Sequence, residues 1–167
     1  MHFSATIDYP ADVETVAAML ADDEFVRRKI EASKALEGSH EVHRDGAAFT
    51  VTTRRTMPTD EVPGRFRSLV GQSLEVRLVE AWQEPGPDGA RRGTLSLDIV
   101  GAPVRVTGAL GLAPAARGAT QSFAGEVTAS VPLFGGPIEK AAVGAVQRVV
   151  DVERRVGLEY LTEHGHA

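Results

Sequence analysis

Residues 137–163 read PIEKAAVGAVQRVVDVERRVGLEYLTE and follow a Gly135-Gly136 pair. Pro137 suits the first turn of a helix, because its φ is held near the helical value and the N–H it lacks would have no intrahelical partner there. Glu139 sets a negative charge against the positive end of the helix dipole. Apolar or small residues recur at Ile138, Ala142, Ala145, Val149, Val152, Val156 and Tyr160, while Lys140, Gln147, Asp151 and Arg154 occupy another sector. The spacing predicts one long amphipathic helix whose buried face carries the first set. The first half of that face is small (Ala141, Ala142, Gly144, Ala145) and the second half is Val, Leu and Tyr. Small side chains allow either a close approach to whatever lies beneath the helix or an unfilled space there, and the sequence leaves both open.

Before this helix the chain reads largely as sheet. Residues 2–9 alternate, with Phe3, Ala5, Ile7 and Tyr9 on one face, which predicts a half-buried strand ended by Pro10. Asp12 is placed to cap a short helix carrying Val13, Val16, Ala17 and Leu20, and a second follows with Phe25, Ile30 and Leu36 among charges, closed by Gly38. From there the period is two. Ser39–Arg44 and Ala47–Thr56 flank an Asp45-Gly46 hairpin signal. Met57–Gln72, with Pro58, Pro63, Gly64 and Gly71, reads as a long loop. Strands then follow through Leu74 to about Glu84, Leu95–Ile99, Val104–Leu112 and Phe123–Val131, separated by Gly- and Pro-rich turns. Strands joined by short turns pair antiparallel, since parallel pairing needs long crossovers. The pattern predicts one α+β domain over residues 1–167, an antiparallel sheet of about seven strands covered by the C-terminal helix, with two short helices after the first strand.

Composition removes several function classes. A chain of 167 residues buries about two-thirds of the surface its unfolded form exposes, enough for a core without staples. Cysteine is absent, which excludes a disulfide framework, a thiolate metal site and a cysteine nucleophile, and fits a cytoplasmic setting. The net charge of −5 argues against a nucleic-acid surface, which needs a basic face. The clusters Arg27-Arg28-Lys29, Arg54-Arg55 and Arg91-Arg92 read as solvated faces. No basic N-terminal segment precedes an apolar run, and no apolar run reaches the roughly 18 residues of a membrane span.

The element order resembles the START-like (SRPBCC, helix-grip) superfamily, in which a curved antiparallel sheet wraps around a long C-terminal helix. Val70-Gly71-Gln72-Ser73-Leu74 leading to Glu80-Ala81-Trp82 is similar to one of its domain-of-unknown-function branches. So is Gly125-Glu126-Val127 leading to Val131-Pro132-Leu133-Phe134-Gly135-Gly136-Pro137-Ile138-Glu139. The resemblance covers the whole chain and carries no catalytic motif. The superfamily includes lipid carriers, plant hormone and pollen-allergen binding proteins, and polyketide cyclases. Other members bind ubiquinone or modulate proteins. It implies an apolar cavity between helix and sheet, and no particular reaction or cofactor.

The residues themselves offer little catalytic chemistry. His40 and His43 point to opposite faces of one predicted strand and cannot share a metal, and His164 and His166 fall in what reads as a mobile tail. No metalloprotease, phosphate-loop or nucleophile-elbow motif is present. Strand parity is more informative. Phe49, Val51, Thr53 and Arg55 share one face, as do Val76, Leu78, Glu80 and Trp82 on the next strand. With Leu97, Val106, Phe123 and Val127 from later strands, and Ala142 and Ala145 from the helix, the apolar members form the expected lining of a ligand site. Arg55, Glu80 and Trp82 are its expected rim contacts. Arg55 and Glu80 either meet water past the core or hold a ligand's polar head, and Trp82 and Tyr160 read chiefly as core residues. Three functions fit. The first is a binding or carrier protein for a lipid-, quinone- or polyketide-like molecule. The second is a cyclase or dehydratase using Arg55, Glu80 or Asp98. The third is a protein-interaction module with a filled core, which implies a protein partner.

Overall fold

A computed structural model describes residues 1–166. The chain runs β1 (His2–Tyr9), α1 (Val13–Leu20), α2 (Asp23–Ala32), β2 (Glu37–Asp45), β3 (Ala48–Pro58), a 3-10 turn at Gly64–Phe66 and α3 (Arg67–Val70). It continues through β4 (Ser73–Trp82), β5 (Arg91–Val100), β6 (Val104–Ala115), β7 (Gly118–Ala129) and α4 (Gly135–Glu163). All strands join one seven-stranded antiparallel sheet in the order β1-β7-β6-β5-β4-β3-β2. The first two strands in sequence therefore lie at opposite edges, and α1 and α2 carry the chain between them. Asp12 caps α1 through Thr15 N at 2.8 Å, and Asp22 caps α2 through Glu24 N at 2.7 Å.

Gly108 on β6 faces Gly125 on β7. A Cβ on Gly125 would lie 2.2 Å from the Thr107 carbonyl oxygen, and one on Gly108 would lie 2.7 Å from that of Ala124. No side chain fits either position, so the two strands approach in a way that glycine alone permits. The concave face looks onto α1, α2 and α4. Ile7, Tyr9, Phe25, Val51, Trp82, Leu112, Phe123, Val156 and Leu161 form its main apolar cluster. A smaller cluster of Val104, Val106 and Val127 packs beneath Ile138, Ala142, Val143 and Val146.

Several local expectations shift. The two-residue hairpin loop is Gly46-Ala47 rather than Asp45-Gly46, because Asp45 pairs with Ala48 and the positive φ of 60° falls on Gly46. α2 ends at Ala32, as Lys34 turns left-handed with φ 61°, and Leu36 is exposed. The segment 57–72 is only partly loop. β3 runs on to Pro58, and a single turn of 3-10 helix and α3 fill much of the remainder.

The helix face is also rotated. Val156 is buried, but Ala142, Ala145 and Val152 are half-buried and Val149 is 40% exposed, while Val150 is 3% exposed. The buried stripe is Val150, Glu153, Val156, Gly157, Tyr160 and Leu161. Gly157 sits on it because a Cβ there would lie 2.7 Å from Tyr9 Cε1. The stripe contains a carboxylate and a glycine, so a search for the most apolar sector turns away from it. On the opposite side Lys140, Gln147 and Asp151 are exposed, and Arg154 is half-buried with its guanidinium donating to the Thr6 carbonyl at 3.0 Å.

Candidate functional site

Of the five charged side chains buried among the described residues, four lie together between sheet and helices: Lys29 from α2, Arg55 from β3, Glu80 from β4 and Glu153 from α4. The register fixes their direction. Val51 pairs with Glu80 and Arg55 with Val76, so both charges point to the concave face that also carries Phe49, Leu78 and Trp82. Lys29 shares an α2 face with Phe25, Val26 and Ile30, and its ammonium lies 4.9 Å from the Phe25 ring centroid. Gly38, beside Arg55 on β2, lets Ile30 lie flush, since a Cβ there would come 2.4 Å from Ile30 Cγ2.

Lys29 Nζ stands 3.1 Å from Glu153 Oε2 and 3.7 Å from Glu80 Oε2. Gln121, fully buried on β7, donates from Nε2 to Glu153 Oε1 at 2.9 Å. Among the described residues, four buried polar side-chain atoms have no protein partner: Tyr9 Oη, Thr53 Oγ1, Arg55 Nε and Gln121 Oε1. Burial pushes Glu80 up, toward its neutral form, against the opposing pull of Lys29. Burial alone would lower Lys29, but Glu153 and Glu80 together outweigh it and hold the ammonium charged. Burial also raises the Tyr9 phenol, with help from Glu153.

Charges are removed from water at a cost of several kcal/mol each, roughly, and a hydrophobic interior of similar shape is generally at least as stable. Two cations and two carboxylates in one interior, with polar atoms left over, make this cluster the candidate functional site. The expectation that Arg55 and Glu80 meet water or sit at a rim is therefore corrected, as both lie inside. So is the reading of the basic clusters as wholly solvated. Each sends one residue inward, namely Lys29, Arg55 and Arg91.

Of the expected lining, Val51, Phe49, Val106, Phe123 and Val127 are buried and Trp82 stacks on Phe49 with centroids 6.3 Å apart. Val76, Leu78, Leu97, Ala142 and Ala145 are only half-buried, as are Leu95 and Ile99 beside them on β5. Asp98 lies outside the site, because its carboxylate points to the convex face and meets Arg105 at 2.7 Å. Tyr160 is core, with its hydroxyl donating to Asp22 at 2.9 Å. His164 belongs to no loose tail. It stacks on Tyr160 at 3.9 Å and reaches the Tyr160 carbonyl through Nδ1.

A family model described as Protein of unknown function (DUF2505) matches residues 4–161. The chain belongs to the DUF2505 family. No curated protein matches it in sequence. Among solved structures, this DUF2505 chain is similar to an aromatase/cyclase, Zhui, from Streptomyces sp. R1128. Their TM-score is 0.57 at 12% identity, covering 96% of this chain and 92% of that one. It is similar to a STAR-related lipid transfer protein from Xanthomonas axonopodis, with TM-score 0.54, 15% identity, and 92% and 85% of the two chains covered. A START superfamily protein from Mycobacterium smegmatis matches at TM-score 0.52 and 16% identity over 96% of this chain and 98% of that one. The DUF2505 chain thus has the START-like helix-grip fold. Among the described residues no helix is long and apolar enough to cross a membrane.

Proposed function

We propose that this protein binds an apolar small molecule between the sheet and α4, with the molecule's polar end at the buried charges and its body along the half-buried strands. The observation that carries this reading is the pairing of two surfaces on one concave face. Arg55, Glu80 and Thr53 supply polar groups, and Val76, Leu78, Leu95 and Leu97 supply apolar surface that the helix covers only in part. Ala142 packs against the smaller apolar cluster, and Ala145 lies on the same half of α4, both half-buried and short. A lipid transfer protein and an aromatase/cyclase share the fold, which supports a lipid-like or polycyclic ligand class.

Native mass spectrometry of protein purified from its own host, followed by extraction of what remains bound, tests the reading. A co-purifying lipid-like or polycyclic molecule, expelled by Ala145→Phe without loss of fold, supports it. No retained molecule, together with no binding of an apolar fluorescent probe, sinks it in favour of an interaction module with a filled interior. The cyclase or dehydratase reading has one observation of its own. Glu80 is a carboxyl group that burial drives toward its protonated form against the pull of Lys29, and a carboxyl so held could serve as a general acid.

A further inference from the structure

We infer that the head of the ligand is a carboxylate, held by the guanidinium of Arg55. The inference rests on the proposed binding site and comes from how the buried cations are matched. Lys29 is occupied by the carboxylates of Glu153 and Glu80. Arg91, the other deeply buried arginine, is also satisfied. Its guanidinium meets Glu14 at 3.0 Å and donates to the Ala47 and Gln83 carbonyls at 2.7 and 3.2 Å. Arg55 differs from both. It is 9% exposed, its Nε has no acceptor, and among the described residues no carboxylate oxygen lies within the 4.0 Å of an ion pair.

A guanidinium stays charged in any protein interior and presents five donors in a planar fork, so a buried one calls for an acceptor of matching shape. The planar two-oxygen acceptor that fits this fork is a carboxylate. Thr53 lies two residues earlier on the same strand face, and its hydroxyl, also without a protein partner, can donate to the same group. A phosphate monoester fits less well. It carries close to two negative charges at neutral pH, which Glu80 and Glu153 nearby would repel more than the single charge of a carboxylate. A neutral quinone or sterol would leave the guanidinium charge unanswered. The body of the ligand then runs from Arg55 past its β4 neighbour Val76 toward Ile99 and Leu97 on β5.

The test compares dansyl-undecanoate with its methyl ester, which have the same fluorescent tail and differ in charge at the head. The acid should bind about ten- to a hundredfold more tightly than the ester, the range for a hydrogen bond to a charged group. Arg55→Met should abolish that preference, with the affinity for the acid falling to the level of the ester. If Arg55→Met does not fold, Arg55→Lys provides the readout, since it keeps the charge, loses the fork and should give an intermediate preference. Equal binding of acid and ester, an unchanged preference in the Arg55 variant, or stronger competition by dodecyl phosphate than by laurate overturns the carboxylate inference and leaves the apolar site standing. Failure of acid and ester alike to bind removes the site and the inference together.

Discussion

Lys29 and Glu153 meet at 3.1 Å between α2 and α4, each with more than nine-tenths of its side chain out of water. Removing one member strands the other. Lys29→Met should cost about 3–5 kcal/mol in a urea titration, because Glu153 and Glu80 would then share an interior with no cation within ion-pair distance. Adding Glu153→Leu to Lys29→Met should recover a large part of that loss. If the double variant is as unstable as the sum of the two single ones, the pair does not act as a unit.

The rotation of α4 gives a sharp comparison between neighbours. Val150→Asp places an unpaired carboxylate at a 3% exposed position and should unfold or aggregate the protein. Val149→Asp, at a position 40% exposed, should change stability by no more than about 0.5 kcal/mol. Circular dichroism melts of the two variants decide the matter, and equal melting temperatures would mean that the buried stripe is wrongly placed.

The fold is legible from periodicity, and the site only in half. Period two is strict, so Arg55 and Glu80 can be set on the same face as Phe49, Val51 and Trp82 without knowing what covers them. Their burial is not legible, because it depends on α1 and α2 carrying the chain from one sheet edge to the other and on α2 packing against β2 and α4. Glu153 and Lys29 are harder. Both are charges on helices, and sorting by polarity assigns them to solvent. For Lys29 a signal exists in the spacing. It stands three and four residues after Val26 and Phe25 and one before Ile30, within the apolar sector of α2. For Glu153 the carboxylate itself pulls the apparent apolar face toward Val149, and only the contact of Gly157 with Tyr9 reveals the true phase.

That contact is testable by adding one methyl group. Gly157→Ala should favour the helix by up to about 1 kcal/mol from propensity, yet its Cβ would fall 2.7 Å from Tyr9 Cε1 and 2.9 Å from Tyr9 Oη. Tyr9 is buried on β1 and has little room to retreat, so overpacking of about 1–3 kcal/mol should win and the variant should be less stable than the parent. A raised melting temperature would show that α4 is free to lift from β1.

Glu80 gives the pH dependence its sign. Its carboxyl is raised above the ordinary glutamate value of 4.5, first by burial and then by the field of Glu153, while Lys29 and Arg55 act in the opposite direction. In the window from 4.5 up to the raised value, the folded protein holds a proton on this group that the unfolded chain has released. The stability from that proton is fully present below the window and is lost as pH rises through it. Asp12, Glu139 and Glu163 have the opposite slope, because hydrogen bonds from Thr15, Ala129 and Arg28 lower them. The whole-protein curve therefore mixes the two trends, and the informative quantity is the difference between the parent and Glu80→Gln, which keeps the shape and cannot ionise. That difference should fall as pH rises above 4.5, with Glu80→Gln gaining relative to the parent until Glu80 is fully ionised in the folded state. Urea titrations at a series of pH values measure it. A flat difference would mean that Lys29 fully compensates the burial of Glu80, and a rising one that the carboxylate is stabilised rather than strained in its site.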